Sequence, residues 1–312
     1  MISVVIPVYN EEANLPALMD RLEKALAGLP GGEPWEVIFT DDGSADRSLE
    51  ILKGFAASRP GVRVVEMVRN YGQHAAVFAG LEQARGEIVV TLDADLQNPP
   101  EEIPRLVKIM KDGNWEVVGT VRQDRRDSIF RTLPSAAVNA VTRRITGVHL
   151  TDWGCMLRVY RKEVVDCMIA CEEHSTFIPA LAAQFAKRVT EVPVGHAERL
   201  AGKSQYNFFK LINLQFDLIT SFSTFPLRAM LLIGEVMAVL GVAFAGLLLG
   251  LRFYYGPEWA AQGVFTLFSI LFFFMGMQFI ALGLMGEYIG RIYREVRKRP
   301  RYVVRQVHGG GA

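Results

Sequence analysis

The chain has 312 residues, room for about two domains at roughly 150 residues each. Half of it is apolar and 21% is charged, which excludes a disordered chain and leans slightly toward a membrane protein. Its 34 lysines and arginines against 33 aspartates and glutamates leave a formal charge of +1, so no broad basic field for nucleic acid exists, and three cysteines argue for a reducing compartment rather than a disulfide scaffold.

Ile2–Val8 is an apolar run closed by Pro7 and Asn10, and predicts a buried strand. Met1 leads straight into it, with no basic n-region or cleavage site, so the chain is expected to start in the cytoplasm. Leu15–Leu29 carries Leu15, Leu18, Leu22 and Leu26 at helical spacing before Gly31-Gly32. Trp35–Thr40 predicts a second strand. Asp46 is the expected N-cap of a helix over Arg47–Ala57. A strand over Val62–Val68, a helix over Gln73–Ala84, a strand over Glu87–Leu92, a helix over Pro99–Lys111 opened by proline and a strand over Trp115–Thr120 follow. This alternation predicts an α/β fold with a doubly wound, mostly parallel sheet, which binds ligands beyond the carboxyl ends of its strands.

The remainder is different. Phe208–Phe225 has apolar residues at helical spacing and reads as an amphipathic helix at a membrane interface. Ala229–Leu251 holds one charge, Glu235, and Trp259–Gly286 holds none. Each run is long enough for a membrane helix, which needs about 20 apolar residues. Arg291, Arg294, Arg297, Lys298, Arg299, Arg301 and Arg305 follow the second run, whereas Phe253–Glu258 has no lysine or arginine. The excess of positive charge places that tail in the cytoplasm and makes the anchor a hairpin. The expected organisation is a cytoplasmic domain over 1–206, an interfacial region over 207–228, membrane helices over 229–251 and 263–286, an outer loop over 252–262 and a basic tail over 287–312 ending in a frayed Gly309-Gly310-Gly311-Ala312.

Three acidic turns follow strands: Tyr9-Asn10-Glu11-Glu12, Asp41-Asp42-Gly43-Ser44 and Asp93-Ala94-Asp95. Carboxylates crowded into one crevice repel unless something positive is bound, and oxygen ligands of this kind suit Mg²⁺ or Mn²⁺ bridging a diphosphate. No P-loop and no Gly-x-Gly-x-x-Gly follows a strand, which disfavours a Walker or dinucleotide site. Cys167 and Cys171, with His174 beyond, are read as small buried side chains, because a fourth metal ligand is not evident.

The string Val4-Val5-Ile6-Pro7-Val8-Tyr9-Asn10-Glu11-Glu12, the Asp41-Asp42-Gly43-Ser44 turn and Asp93-Ala94-Asp95 together resemble a family 2 glycosyltransferase of the A-type fold. Thr91–Glu101, Val118-Gly119-Thr120-Val121-Arg122 and the two-helix anchor are similar to the polyprenyl-phosphate branch. Within it, Arg69–His74, Gly154–Arg158, Ser175–Pro179, His196–Arg199 and Gly286–Tyr293 resemble the members that load 4-deoxy-4-formamido-L-arabinose in lipid A modification, with glucose or mannose as the alternative sugar. The resemblance implies transfer with inversion from a UDP-sugar to undecaprenyl phosphate, at the cytoplasmic face of a bacterial inner membrane, by a homo-oligomer, a tetramer in the family. It implies that Pro7, Tyr9 and Glu11 frame the nucleoside and that Asp42 reads the uracil edge. Asp93 would face the nucleotide, and Asp95 with Gln97 would hold Mg²⁺ or Mn²⁺. Arg122 and Arg131 would meet the acceptor phosphate, Asp152 would be the catalytic carboxylate, and Arg199, Lys203 and Ser204 would touch the diphosphate. Where the family often has Ser-Lys-Tyr, this chain reads Ser204-Gln205-Tyr206, with Lys203 one place earlier.

Overall fold

β1 (Ile2–Val8) lies near the middle of an eight-stranded sheet, paired in parallel with β2 (Trp35–Asp41) on one side and β4 (Ile88–Thr91) on the other. The structure is a computed structural model and describes residues 1–122, 155–171, 178–195, 225–256, 264–297 and 299–310. β3 (Val62–Met67) extends the parallel run beyond β2. Past β4 come β6 (Arg158–Arg161), antiparallel to it, then β5 (Val117–Arg122) and β7 (Val189–Val194). β8 (Val304–His308) closes the other edge, antiparallel to β3. The order is β7-β5-β6-β4-β1-β2-β3-β8.

Side-chain alternation explains the layers. Ile2, Val4, Ile6 and Val8 face one apolar cluster, shared with α1 (Leu15–Ala27), α2 (Ser48–Ser58) and α4 (Ile103–Asp112). Val5 faces a second cluster, with α3 (Gln73–Gln83), α5 (Lys162–Ala170) and α6 (Ile178–Phe185). Helices therefore cover both faces, as the doubly wound pattern predicts. Leu15, Leu18, Leu22 and Leu26 are all buried, and truncating one to alanine costs about 2–5 kcal/mol. α3 lies so close to β1 that a Cβ on Gly80 would stand 2.4 Å from Val5 Cγ1. Only hydrogen fits there.

Local details depart from the sequence reading where hydrogen bonding overrides periodicity. The helix expected over Pro99–Lys111 splits into a 3₁₀ turn at Pro100–Glu102 and α4, whose second residue, Pro104, has no N–H to give. α2 begins at Ser48, and Asp46 caps from outside it, accepting the Ser48 N–H at 2.9 Å. β6, β7 and β8 were not expected. The basic tail is partly structural: Val304–His308 is a strand of the eight-stranded sheet.

The chain divides into two units, Met1–Leu211 with Pro300–Ala312 and Ile212–Arg299. The second contains α7 (Phe225–Tyr255) and α8 (Val264–Val296). With 31 and 33 residues, they are about 46 and 50 Å long at 1.5 Å per residue, more than the roughly 30 Å of hydrocarbon in a bilayer. Leu227–Tyr255 and Ile270–Tyr293 are long and apolar enough to cross a membrane. Their large apolar side chains are exposed along their lengths, which water would penalise and lipid would not. The interfacial helix expected over Phe208–Phe225 falls almost wholly outside the described residues, as do most of the outer loop and Gly311-Ala312.

Candidate active site

β1, β2 and β4 run parallel, and Val8 pairs with Asp41 at their carboxyl ends. The turns after them therefore open on one edge of the sheet. β5 runs antiparallel to β6, which runs antiparallel to β4, so Arg122 ends its strand at that edge too. Pro7, near the end of β1, and Tyr9, Glu11, Asp42, Asp93, Asp95 and Gln97, on or just beyond the turns that the sequence singled out, all lie at this edge. Asp152, Arg131, Arg199, Lys203 and Ser204 lie outside the described residues, as does His174.

The first two turns are laced together. The Asn10 N–H donates to Ser44 Oγ at 3.0 Å, and Asn10 Oδ1 accepts the Ala45 N–H at 2.8 Å. Glu11 and Glu12 donate their N–H groups to Ser48 Oγ and Asp46 Oδ2. Asn10 has φ +55°, a left-handed conformation that asparagine tolerates because its side chain can bond locally. Tyr9, by contrast, is 49% exposed, with its ring available to stack on a ligand.

Asp42 is occupied. Its Oδ1 accepts the Tyr71 N–H at 2.7 Å and its Oδ2 the Gly72 N–H at 2.8 Å. It is 2% exposed, and burial pushes its carboxyl above the ordinary aspartate value despite the two amides. Asp42 thus holds the Arg69–Gly72 segment. Gly43, with φ +69°, allows the same approach, for a Cβ there would lie 2.7 Å from Arg69 C and Asn70 N. Asp41 beside it is also buried and raised by burial, with Ser44 N–H on its Oδ2 at 3.3 Å.

The third turn carries the remaining carboxylates. Asp93 is half-buried, and its Oδ1 accepts Gln73 Nε2 at 2.7 Å. Asp95 is buried, and its Oδ1 accepts the Gln97 N–H at 3.1 Å. Between Asp95 and Gln97, Leu96 is held at φ +61°, a conformation that costs a leucine about 1–2 kcal/mol. The surrounding fold supports it: Leu96 is packed in the core, and Arg21 on α1 grips Glu101 with two bonds of 2.8 Å. Among the described residues no three His, Cys, Asp or Glu side chains converge as a closed metal cage. A pair of carboxylate ligands suits a hard cation that keeps waters and takes oxygens from a diphosphate.

Beneath the edge lies a polar cluster that the sequence reading gave no role. Cys155 Sγ lies 2.9 Å from Thr120 Oγ1 and 3.4 Å from Asn98 Oδ1, while Arg158 Nε donates to Cys155 O at 2.9 Å. It joins the segment after Asp95 to the end of β5. Cys167 is exposed rather than buried, and Cys171 is half-buried. Gln73 was likewise given no role, since nothing in its spacing marks it; only the fold brings it to Asp93.

Residues 3–168 match the family described as glycosyl transferase family 2. The chain belongs to that family. This glycosyltransferase is 56% identical over 307 residues to the undecaprenyl-phosphate 4-deoxy-4-formamido-L-arabinose transferase of Pectobacterium atrosepticum, covering 98% of this chain and 93% of the relative. Proteins of the same name are 55% identical over 308 residues in Edwardsiella ictaluri and 53% over 310 in Yersinia pestis, each with at least 98% of this chain and 94% of the relative covered. The glycosyltransferase is also similar in fold to glucosyl-3-phosphoglycerate synthase from Mycobacterium tuberculosis, crystallised with Mn²⁺ and UDP-glucose. That match has a TM-score of 0.50 and 23% identity over 70% of this chain and 77% of the other. The domain has the A-type fold that the resemblance implies.

Proposed function

We propose that this glycosyltransferase moves 4-deoxy-4-formamido-L-arabinose from UDP to undecaprenyl phosphate, with inversion, at the cytoplasmic leaflet of a bacterial inner membrane. The observation that carries the reading is identity of 53–56%, over almost the full length, to relatives named for that reaction. The edge geometry supports it, with an exposed aromatic, buried acids and a two-carboxylate turn on adjoining strand ends.

Pro7, Tyr9 and Glu11 hold the nucleoside. Asp42 fixes the Tyr71–Gly72 backbone with one amide on each oxygen, and reads the uracil edge with the lone pairs that those oxygens keep. Asp95, with Asp93 and Gln97, would hold Mg²⁺ or Mn²⁺, which when bound supplies positive charge against the UDP leaving group. Asp93 also orients the nucleotide. Arg122 and Arg131 grip the acceptor phosphate, where a guanidinium fork matches two oxygens. A phosphate oxygen of the acceptor forms the new bond to the anomeric carbon while the bond to UDP breaks and UDP keeps its electron pair. The acceptor monoester needs little deprotonation near pH 7, since its second pKa is about 6, so Asp152 orients it. Arg199, Lys203 and Ser204 contact the diphosphate. The oligomer is a homotetramer, by family likeness.

α7 and α8 form a membrane hairpin. The chain leaves the sheet domain at Leu211 and rejoins it at Pro300, a return that supports an even number of crossings. Tyr254 and Tyr255 pack edge to face at the end of α7, as aromatics do at an outer interface. Counting back about 20 residues, the thickness of the hydrocarbon, reaches Glu235, which puts that carboxylate at the inner rim rather than mid-membrane.

The purified protein should be incubated with undecaprenyl phosphate and a panel of UDP-sugars, and the lipid products weighed by mass spectrometry. The formamido-arabinosyl lipid should dominate. A product formed only from UDP-glucose would replace the sugar assignment.

A further inference from the structure

We infer that Gln73 is a positioning residue for the donor nucleotide, acting through Asp93. Gln73 opens α3, and its Nε2 donates to Asp93 Oδ1 at 2.7 Å. The segment just before it is fastened to the β2 turn by Asp42 and by the close approach at Gly43. Gln73 thus links two turns that adjoin no common strand pair, β2 being separated from β4 by β1. The link is at the surface: Gln73 is exposed and Asp93 half-buried. A hydrogen bond that water can replace adds little to stability, so its effect falls on the direction of the Asp93 carboxylate, whose χ2 it restrains. An ionised Asp93 also fixes which end of the Gln73 amide faces it, because only the NH₂ end can donate. Holding that carboxylate in one orientation before the donor arrives removes an ordering cost from binding.

The inference rests on the proposed reading of the edge as a UDP-sugar site. The test uses the full-length protein with Gln73→Met, which keeps the length and helix propensity but has no donor, and Gln73→Glu, which keeps the shape but faces Asp93 with a like charge. UDP binding is measured by calorimetry with Mg²⁺ or Mn²⁺ present, alongside KM for donor and acceptor, kcat and the melting temperature. Gln73→Met should weaken UDP binding and raise the donor KM about three- to tenfold, the size of one modest hydrogen bond, and Gln73→Glu should do so more. The acceptor KM and the melting temperature should stay near wild type. Wild-type UDP affinity in both variants would overturn the role of Gln73 alone. Equal loss in both KM values with a lowered melting temperature would also overturn it, by marking a structural residue. A wild-type protein that binds no UDP would overturn the site reading and this inference with it.

Discussion

Glu66 on β3 and His308 on β8 are 242 positions apart in sequence, yet Glu66 Oε2 and His308 Nε2 are 2.9 Å apart. Lys53 Nζ, at 2.8 Å, and Arg305 Nη1, at 3.2 Å, add two cations around the same buried carboxylate. The chain thus passes through two apolar helices and returns to pair with the edge of the sheet it left. Removing the Glu66 charge should weaken that closure. Glu66→Gln should cost the sheet domain about 1.5–3 kcal/mol at neutral pH, the range for hydrogen bonds to a charged group. Lys53 first, against the cost of burial, then His308 and Arg305 hold the Glu66 carboxyl below its ordinary value. A depressed carboxylate stabilises fully above its unfolded pKa and loses that contribution as pH falls through its folded value. The gap between wild type and variant should therefore narrow in acid; melts showing a pH-independent gap would contradict this electrostatic account.

Asp42→Ala should both destabilise and weaken donor binding. It leaves the Tyr71 and Gly72 N–H groups without their carboxylate, at about 1–3 kcal/mol for unmade buried bonds. UDP affinity and unfolding should fall together. Unchanged stability would overturn the holding role of those two bonds and leave base reading as the whole of the part played by Asp42.

Asp95→Asn keeps the acceptor for the Gln97 N–H but loses the charge that a cation needs. Transfer should drop about a hundredfold or more, given several kcal/mol from a metal ion, with little change in melting temperature. EDTA should reproduce the loss in the wild type. Full activity in EDTA would remove the metal from the site.

Arg122→Lys and Arg131→Lys should each raise the KM for undecaprenyl phosphate about tenfold, more than the KM for the UDP-sugar, since lysine keeps the charge but not the planar fork. Arg125 belongs to the same basic stretch but the resemblance gives it no phosphate contact, so Arg125→Lys serves as the control for general attraction to anionic lipid. Equal shifts in all three variants would leave Arg199 and Lys203 as the candidate phosphate contacts.

Topology is checked by thiol labelling in a Cys167→Ser background. Tyr254→Cys, at the end of α7, should react from the periplasm, and Gln306→Cys, exposed on β8, only after lysis. Reversed labelling would put the β8-bearing domain outside.

What the sequence determined by itself was local. The apolar run Ile2–Val8, the leucine spacing of α1 and the two long apolar runs are each local patterns in the chain, and water reads them directly as faces to hide. The acidic turns were legible for a related reason: parallel strands must place their carboxyl ends together, so three such turns converge whatever the details. Tertiary structure decided the rest. Val304–His308 is half-polar and five residues long, and becomes a strand only because β3 offers it an edge. β6 has four residues, Arg158–Arg161, and depends likewise on β4 and β5. The sequence can show that Asp42 is acidic and in a turn, but not that loop amides take both its oxygens, nor that Gln73 reaches Asp93. Burial pattern is written along the chain, whereas the partner of a polar group depends on which distant segment the folded core brings within 3 Å of it.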